Sequence, residues 1–209
     1  MDANGFTIAS LRLDHKTLNE AAVLAARGFH DDPFYVYLAP QPLLRARGLA
    51  IFMRSHIAVL GDAAVIMGAR DGAGNLVGIS VWQRPGTFPL PVWSQVREFA
   101  GSLRAMITRP SVLVTGLRYV LALDKAHPRD EHWYLVLLVA DPMVWRRGIG
   151  TALLEPTLAS IDTEGLPCYL ETQKEANLAY YRRFGFEHSE TLKPNRSGPP
   201  LFTMTRPPR

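Results

Sequence analysis

Two hydrophobic periods take turns along this chain, one near 2 residues and one near 3.6, and they divide it into strands and helices. Phe6 to Leu13 alternates loosely and predicts a first strand; Asp14 then stands where its carboxylate can cap a helix from about Lys16 to Arg27. Leu43 to Leu60 predicts a second helix. Ala64 to Arg70 and Leu76 to Gln83 predict two strands, and the glycines of Asp71-Gly72-Ala73-Gly74-Asn75 suit a hairpin loop between them. Pro85, Pro89 and Pro91 interrupt regular structure, after which Val92 to Asp124 reads as two amphipathic helices divided at Arg109-Pro110. Tyr134 to Ala140 is almost unbroken apolar residue, as expected of a central strand covered on both faces. A helix opening near Gly148 should be kinked at Pro156. Cys168 to Thr172 predicts a short strand and Glu175 to Phe184 a helix, with Gly185 stopping it before another strand from Phe186.

Composition narrows the class. At 209 residues the chain fits one domain with a substantial core. No apolar stretch reaches transmembrane length, and the N-terminus lacks a signal peptide's basic and apolar regions, so neither membrane insertion nor export is expected. The single cysteine, Cys168, cannot close an internal disulfide; a reducing cytoplasm is the expected compartment and a small core hydrophobe its expected role. A net charge of +4 raises the question of nucleic acid, but the basic residues are scattered and cluster only at Arg45-Arg47, Arg146-Arg147 and Arg182-Arg183. A local basic site for an anionic cofactor accounts for the charge more economically.

That site is legible where the central strand ends. After Asp141-Pro142 comes Arg146-Arg147-Gly148-Ile149-Gly150-Thr151, and then the apolar run Ala152-Leu153-Leu154. Glycines let successive backbone N–H groups converge on one point, the helix N-terminus adds partial positive charge, and the arginines add whole charges: a cradle for a pyrophosphate. A Rossmann site would need a third glycine where Leu153 stands, and no Lys-Ser or Lys-Thr follows to make a Walker loop. No metal site is expected, since His127 and His132 bracket a Pro128 turn and no CxxC or HExxH occurs.

The segments RRGIGTALL and NLAYYRRFGFE resemble the pyrophosphate motif and the following helix-turn-strand of the GCN5-related N-acetyltransferases, over roughly the C-terminal 80 residues. HPRDEHWYL at 127–135, GLPCYLET at 165–172 and MTR at 204–206 bring the likeness closer to the subgroup containing puromycin N-acetyltransferase. One departure is Trp145, at a motif position where Gln or Arg is usual. The resemblance implies one α/β domain over 1–209 with a mixed central sheet of about seven strands flanked by helices. Residues 1–83 would form its N-terminal part, 84–130 a helical insertion before the long central strand, and 131–209 the cofactor-binding and catalytic part.

It also implies acetyl transfer from acetyl-CoA to a primary amine of a small molecule, by direct attack in a ternary complex. The pyrophosphate would lie on Arg146, Arg147, Gly148, Ile149, Gly150 and Thr151, and the pantetheine amides on backbone groups of Leu138, Val139 and Ala140. Tyr181 matches the family's tyrosine and would donate a proton to the departing thiolate, with Asn177 on the same helix face toward the cofactor. Tyr180 points about 100° away and is expected in the core. An amine near pKa 10 must lose a proton before it attacks. Glu171, a carboxylate ending an apolar strand, is the first choice of base, with Asp31, Asp32, His30 and His132 as others; Asp31 and Asp32 fall in the loop where the family places substrate contacts. The alternatives are a protein N-terminal or lysine acetyltransferase, and a non-catalytic acyl-CoA sensor. A homodimer is left open.

Overall fold

A computed structural model describes residues 5–91 and 110–209. Seven strands form one sheet in the order β1-β2-β3-β4-β5-β7-β6: β1 Thr7–Ser10, β2 Ala64–Arg70, β3 Leu76–Gln83, β4 Trp133–Ala140, β5 Cys168–Thr172, β6 Glu187–Leu192 and β7 Leu201–Arg206. Every neighbouring pair is antiparallel except β4 and β5, so the sheet is mixed. The helices are α1 His15–Gly28, α2 Pro33–Leu38, α3 Pro42–Leu60, α4 Pro110–Ala126, α5 Ile149–Glu164 and α6 Ala176–Arg182. Of the two helices predicted between Val92 and Asp124, the second is α4; the first lies outside the described residues.

Two apolar layers hold the sheet. On one face α1 and α3 bring Leu24, Ala25, Leu49, Met53 and Ile57 onto Ile66, Ile79, Leu137 and Val139. On the other, α5 and α6 bring Leu154, Leu158, Leu178 and Tyr181 onto Leu135, Leu170 and Met204. Asp14 caps α1 as expected, accepting from the Thr17 amide at 2.7 Å. Helix α5 runs through Pro156 to Glu164 without interruption.

Two close approaches need glycine. A Cβ on Gly28 would come within 2.0 Å of a Val139 methyl, and one on Gly78 within 2.4 Å of an Ile149 methyl. The end of α1 and the start of α5 are thereby brought onto opposite faces of the same end of the sheet.

Central strand β4 departs from the expectation of cover on both faces. Trp133, Leu135, Leu137 and Val139 are buried, while Tyr134, Val136, Leu138 and Ala140 between them are half-buried. The strand also carries a bulge. Val81 faces Leu137 and Trp82 faces Leu135, so β4 spends one extra residue, Val136, at that step. A bulge bends the strand that carries it. The parallel pairing to β5 stops at the same place, its last pair being Leu135 with Leu170.

Candidate active site

Beyond that last pair the two strands fork, and the β5-facing backbone of β4 from Val136 onward has no strand beside it. Asp141 donates its amide to the Val77 carbonyl at 2.8 Å, which fixes the side toward β3. Alternation along a strand then turns the Ala140 and Leu138 backbone groups to the fork. The exposed Trp145 donates its indole N–H to the Ala140 carbonyl at 2.9 Å, so the residue that departs from the usual motif lines the open edge of β4.

The loop from β4 to α5 is built to present N–H groups. A short 3-10 turn at Pro142–Val144 is capped by Asp141, which accepts from the Met143 amide at 3.0 Å and pairs with Arg27 of α1. Arg146 then takes a left-handed φ of 64° and Gly148 one of 79°. The latter is the α5 N-cap and offers no side-chain acceptor, and the first intrahelical bond is from the Ala152 amide to the Gly148 carbonyl at 3.0 Å. The N–H groups of Ile149, Gly150 and Thr151 are left for a ligand, and an anion is the ligand that a helix N-terminus favours. Arg146 and Arg147 are both exposed at this end, the Arg147 guanidinium resting 4.8 Å from the centre of the Phe6 ring.

A further group was missed by sequence reasoning. Tyr180 packs partly against the core as expected, but its hydroxyl is enclosed beside Gly150, where a Cβ would come within 2.6 Å of it, and it has no hydrogen-bond partner of good geometry. Burial raises its pKa, partly opposed by the neighbouring Thr151 side chain. A buried phenol with only the Thr151 side chain beside it, next to an uncapped helix N-terminus and an unpaired strand edge, fits a coenzyme carrying phosphates and amides. Gly150→Ala is therefore expected to push Tyr180 aside and to weaken acetyl-CoA binding at least tenfold, read by calorimetric titration.

Tyr181 lies in the core layer, its ring 5.3 Å from that of Tyr180 and 6.0 Å from that of Phe186, and burial raises its pKa so that the phenol keeps its proton. Asn177 donates to the Thr172 hydroxyl at 2.8 Å, tying α6 to the end of β5.

Glu171 is the first β5 residue past the last pair with β4, at the base of the fork. Its side chain is buried; one oxygen accepts from the Tyr134 hydroxyl at 2.5 Å, and the other has no hydrogen bond and lies 3.7 Å from the His127 ring. Asp32 is buried, caps α2 by accepting from the Phe34 amide at 3.0 Å, and faces the Lys174 ammonium at 3.7 Å. Burial raises the Asp32 pKa and Lys174 opposes the shift. Asp31, by contrast, is exposed and paired with His30 at 2.8 Å. Buried Arg45 pins this loop by donating to the carbonyls of His30, Ala39 and Pro40. Among the described residues, no group of His, Cys, Asp and Glu could hold a metal, and no helix is long and apolar enough to cross a membrane.

A strap joins α2, α4 and the loop between β6 and β7. The loop between β6 and β7 is tied to α2 by Tyr37, whose hydroxyl is 2.9 Å from the Ser197 hydroxyl and accepts from Asn195 at 3.0 Å. It is tied to α4 by Tyr119, which donates to the Pro199 carbonyl at 2.7 Å. Phe34 and Tyr119 stack tilted with ring centres 4.6 Å apart, closing α2 on α4. None of these contacts was expected from sequence.

Comparison with known proteins agrees with this geometry. The model of the acetyltransferase (GNAT) family matches residues 82–186, just over half of the chain. An uncharacterised N-acetyltransferase of Schizosaccharomyces pombe is 28% identical, covering 96% of this chain and 84% of that protein. Among solved structures, one described as histone acetyltransferase HPA2 and related acetyltransferase, from Corynebacterium glutamicum, superposes with a TM-score of 0.71 at 22% identity over 98% of this chain and 97% of that one. The PaiA N-acetyltransferase of Thermoplasma acidophilum, in complex with coenzyme A, gives 0.54 at 14% identity over 96% and 99%. At such identities the solved structures show the fold alone. The family match carries the rest: with its seven-stranded sheet forked between β4 and β5, this chain belongs to the GNAT acetyltransferase family and is an acyltransferase that uses acetyl-CoA.

Proposed function

We propose that the enzyme transfers the acetyl group of acetyl-CoA to a primary amine of a small molecule, by direct attack in a ternary complex. The observation that carries this reading is the strap: α2, α4 and the β6–β7 loop are joined by side-chain hydrogen bonds across the acceptor side, where a polypeptide acceptor needs an open channel.

When bound, acetyl-CoA supplies an acyl group activated as a thioester. The N–H groups of Ile149, Gly150 and Thr151 hold the pyrophosphate with the charges of Arg146 and Arg147 nearby. The backbone of Leu138 to Ala140 holds the pantetheine. The Tyr180 hydroxyl lies against Gly150 between the two. Tyr181, a phenol kept protonated by burial, stands as proton donor to the leaving sulfur. Glu171 takes the proton from the acceptor ammonium, and Asp32 is the second carboxylate available to orient it. Cys168 is buried and its pKa is pushed up to about 11, which supports direct attack over transfer through an acyl-cysteine.

Amino-nucleosides are the first acceptors to try, on the strength of the resemblance at 127–135 and 165–172. The test is thiol release from acetyl-CoA over a panel of small amines and, in parallel, over lysine-containing and free N-terminal peptides. Turnover of at least one small amine at a tenfold higher kcat/KM than any peptide is expected. The reverse order would assign protein acetylation, and no turnover in either arm would leave an acyl-CoA sensor.

A further inference from the structure

On the face of the sheet opposite α5, the turn from α4 to β4 meets Phe88 and the Tyr169 and Glu171 side chains of β5. His127, at the end of α4, and His132, before β4, touch through their Nε2 atoms at 3.0 Å, and both rings are buried. The Nδ1 of His132 lies 2.7 Å from the Asp130 carbonyl, and the Nδ1 of His127 lies 3.7 Å from the unbonded Glu171 oxygen. Phe88 stacks on His127 with ring centres 3.5 Å apart, and Tyr134 and Tyr169 each meet it edge-on at 4.9 Å. The far end opens into a cavity lined by Gln83, Arg84, Arg129, Asp130, Glu131 and His132 among others.

Hydrogen-bond bookkeeping restricts the protons. A carbonyl only accepts, so His132 carries its proton on Nδ1, and burial lowers its pKa and keeps it neutral. Its Nε2 is then the acceptor, and the His127 Nε2 must be the donor. The remaining His127 nitrogen, Nδ1, lies 3.7 Å from a Glu171 carboxylate oxygen, a gap that one water spans. The buried carboxylate at the base of the fork is thus joined through one imidazole to a second that reaches a surface cavity.

We propose that His127 and His132 form a proton relay serving Glu171, which carries the acceptor's proton from the fork to the cavity on the far side of the sheet. This rests on the acetyl-transfer reading above. In the forward step an acceptor N–H bond breaks and a Glu171 O–H bond forms. That proton passes to Nδ1 of His127 as the Nε2 proton of His127 passes to Nε2 of His132. His132 then releases its Nδ1 proton to water in the cavity, which leaves both rings in their other tautomer; exchange with water, a proton lost from Nδ1 of His127 and from Nε2 of His132 for one gained at Nε2 of His127 and at Nδ1 of His132, restores the first. A ring rotation or one water closes the 3.7 Å gap to Glu171. The titratable groups facing the pair among the described residues are Glu171, Tyr134, Tyr169 and Asp130, with Arg84, Arg129 and Glu131 around the cavity. Tyr169 stays protonated, since burial and then the Glu171 charge raise its pKa.

The test compares acceptors of different basicity. An alkylamine is protonated at pH 7 and needs the relay; an arylamine, with a pKa near 5, is already neutral. His127→Gln and His132→Gln are each measured at saturating acetyl-CoA with one alkylamine and one arylamine that the wild type accepts, and over pH 6–10. Acetyl-CoA affinity and circular dichroism report folding for each variant. The relay predicts that kcat for the alkylamine falls at least 30-fold at pH 7, that the fall for the arylamine is at least tenfold smaller, and that the alkylamine deficit shrinks above pH 9. Equal losses for both acceptors, or none, in the variant that folds would overturn it. If the wild type acetylates no amine, the acetyl-transfer reading fails instead, and imidazole nitrogen NMR still decides the pair: Glu171→Gln should shift its titration by at least half a pH unit, and an unchanged titration would refute the coupling.

Discussion

Glu171→Gln is expected to lower kcat by about 10²- to 10³-fold for an alkylamine acceptor, within the range of general-base catalysis, and to leave acetyl-CoA affinity within about twofold of wild type. The amide keeps the shape and still accepts from Tyr134, so the cluster on that face of the sheet is retained. What is lost is the one titratable oxygen at the base of the fork, and that oxygen is enclosed without a hydrogen bond. A carboxylate placed in this way costs stability, and catalysis is a physical reason to keep it. Steady-state kinetics with calorimetry on the same protein reads both quantities. A parallel loss of cofactor binding would mean that Glu171 is structural, and an unchanged kcat would move the base to Asp32.

Arg206→Ala is expected to cost about 3–5 kcal/mol of stability in chemical denaturation. The Arg206 side chain is 2% exposed, forms two hydrogen bonds to Asp162 of α5 at 2.6 and 2.8 Å, and donates to the Phe184 carbonyl at 2.8 Å. It therefore ties β7 to α5 and to the turn after α6. Removing it leaves a cavity, an unpaired carbonyl and a carboxylate without its cation. The hydrogen bond and charge of Arg206 hold the Asp162 pKa below its usual 3.8. A carboxylate with a depressed folded-state pKa contributes stability that is present above the unfolded value and lost as pH falls through the folded one. The gap between wild type and Arg206→Ala should thus be full at pH 6 and narrow as pH drops below about 4.

The backbone plan was legible because local signals agreed with it. Strands β2 and β3 run from Ala64 to Arg70 and from Leu76 to Gln83 as their alternation and turn glycines predict, and Gly148 and Gly185, both at positive φ, stand at the start of α5 and just past the end of α6 as expected. The basic, glycine-rich turn could be read because it is continuous in sequence. What escaped is what only the fold brings together. The β4 bulge at Val136 lies inside a uniform apolar run and changes no residue type. Tyr180 and Gly150 lie 30 positions apart, and their fit is visible only when α6 lies against α5. The strap joins Tyr37 and Tyr119 to 195–199, and α2 is six residues long, too short for its periodicity to stand out. His127 and Glu171 were each noted, one as part of a turn and one as a base; their proximity depends on the register of β4 with β5.

The most direct test of the central claim is calorimetric titration of acetyl-CoA into the purified protein. Micromolar binding at one site per chain, weakened severalfold by Arg147→Ala, is the expected result. Absence of binding would contradict the account, because the unpaired edge of β4, the uncapped α5 N-terminus and the Tyr180 hydroxyl would then have no ligand in common.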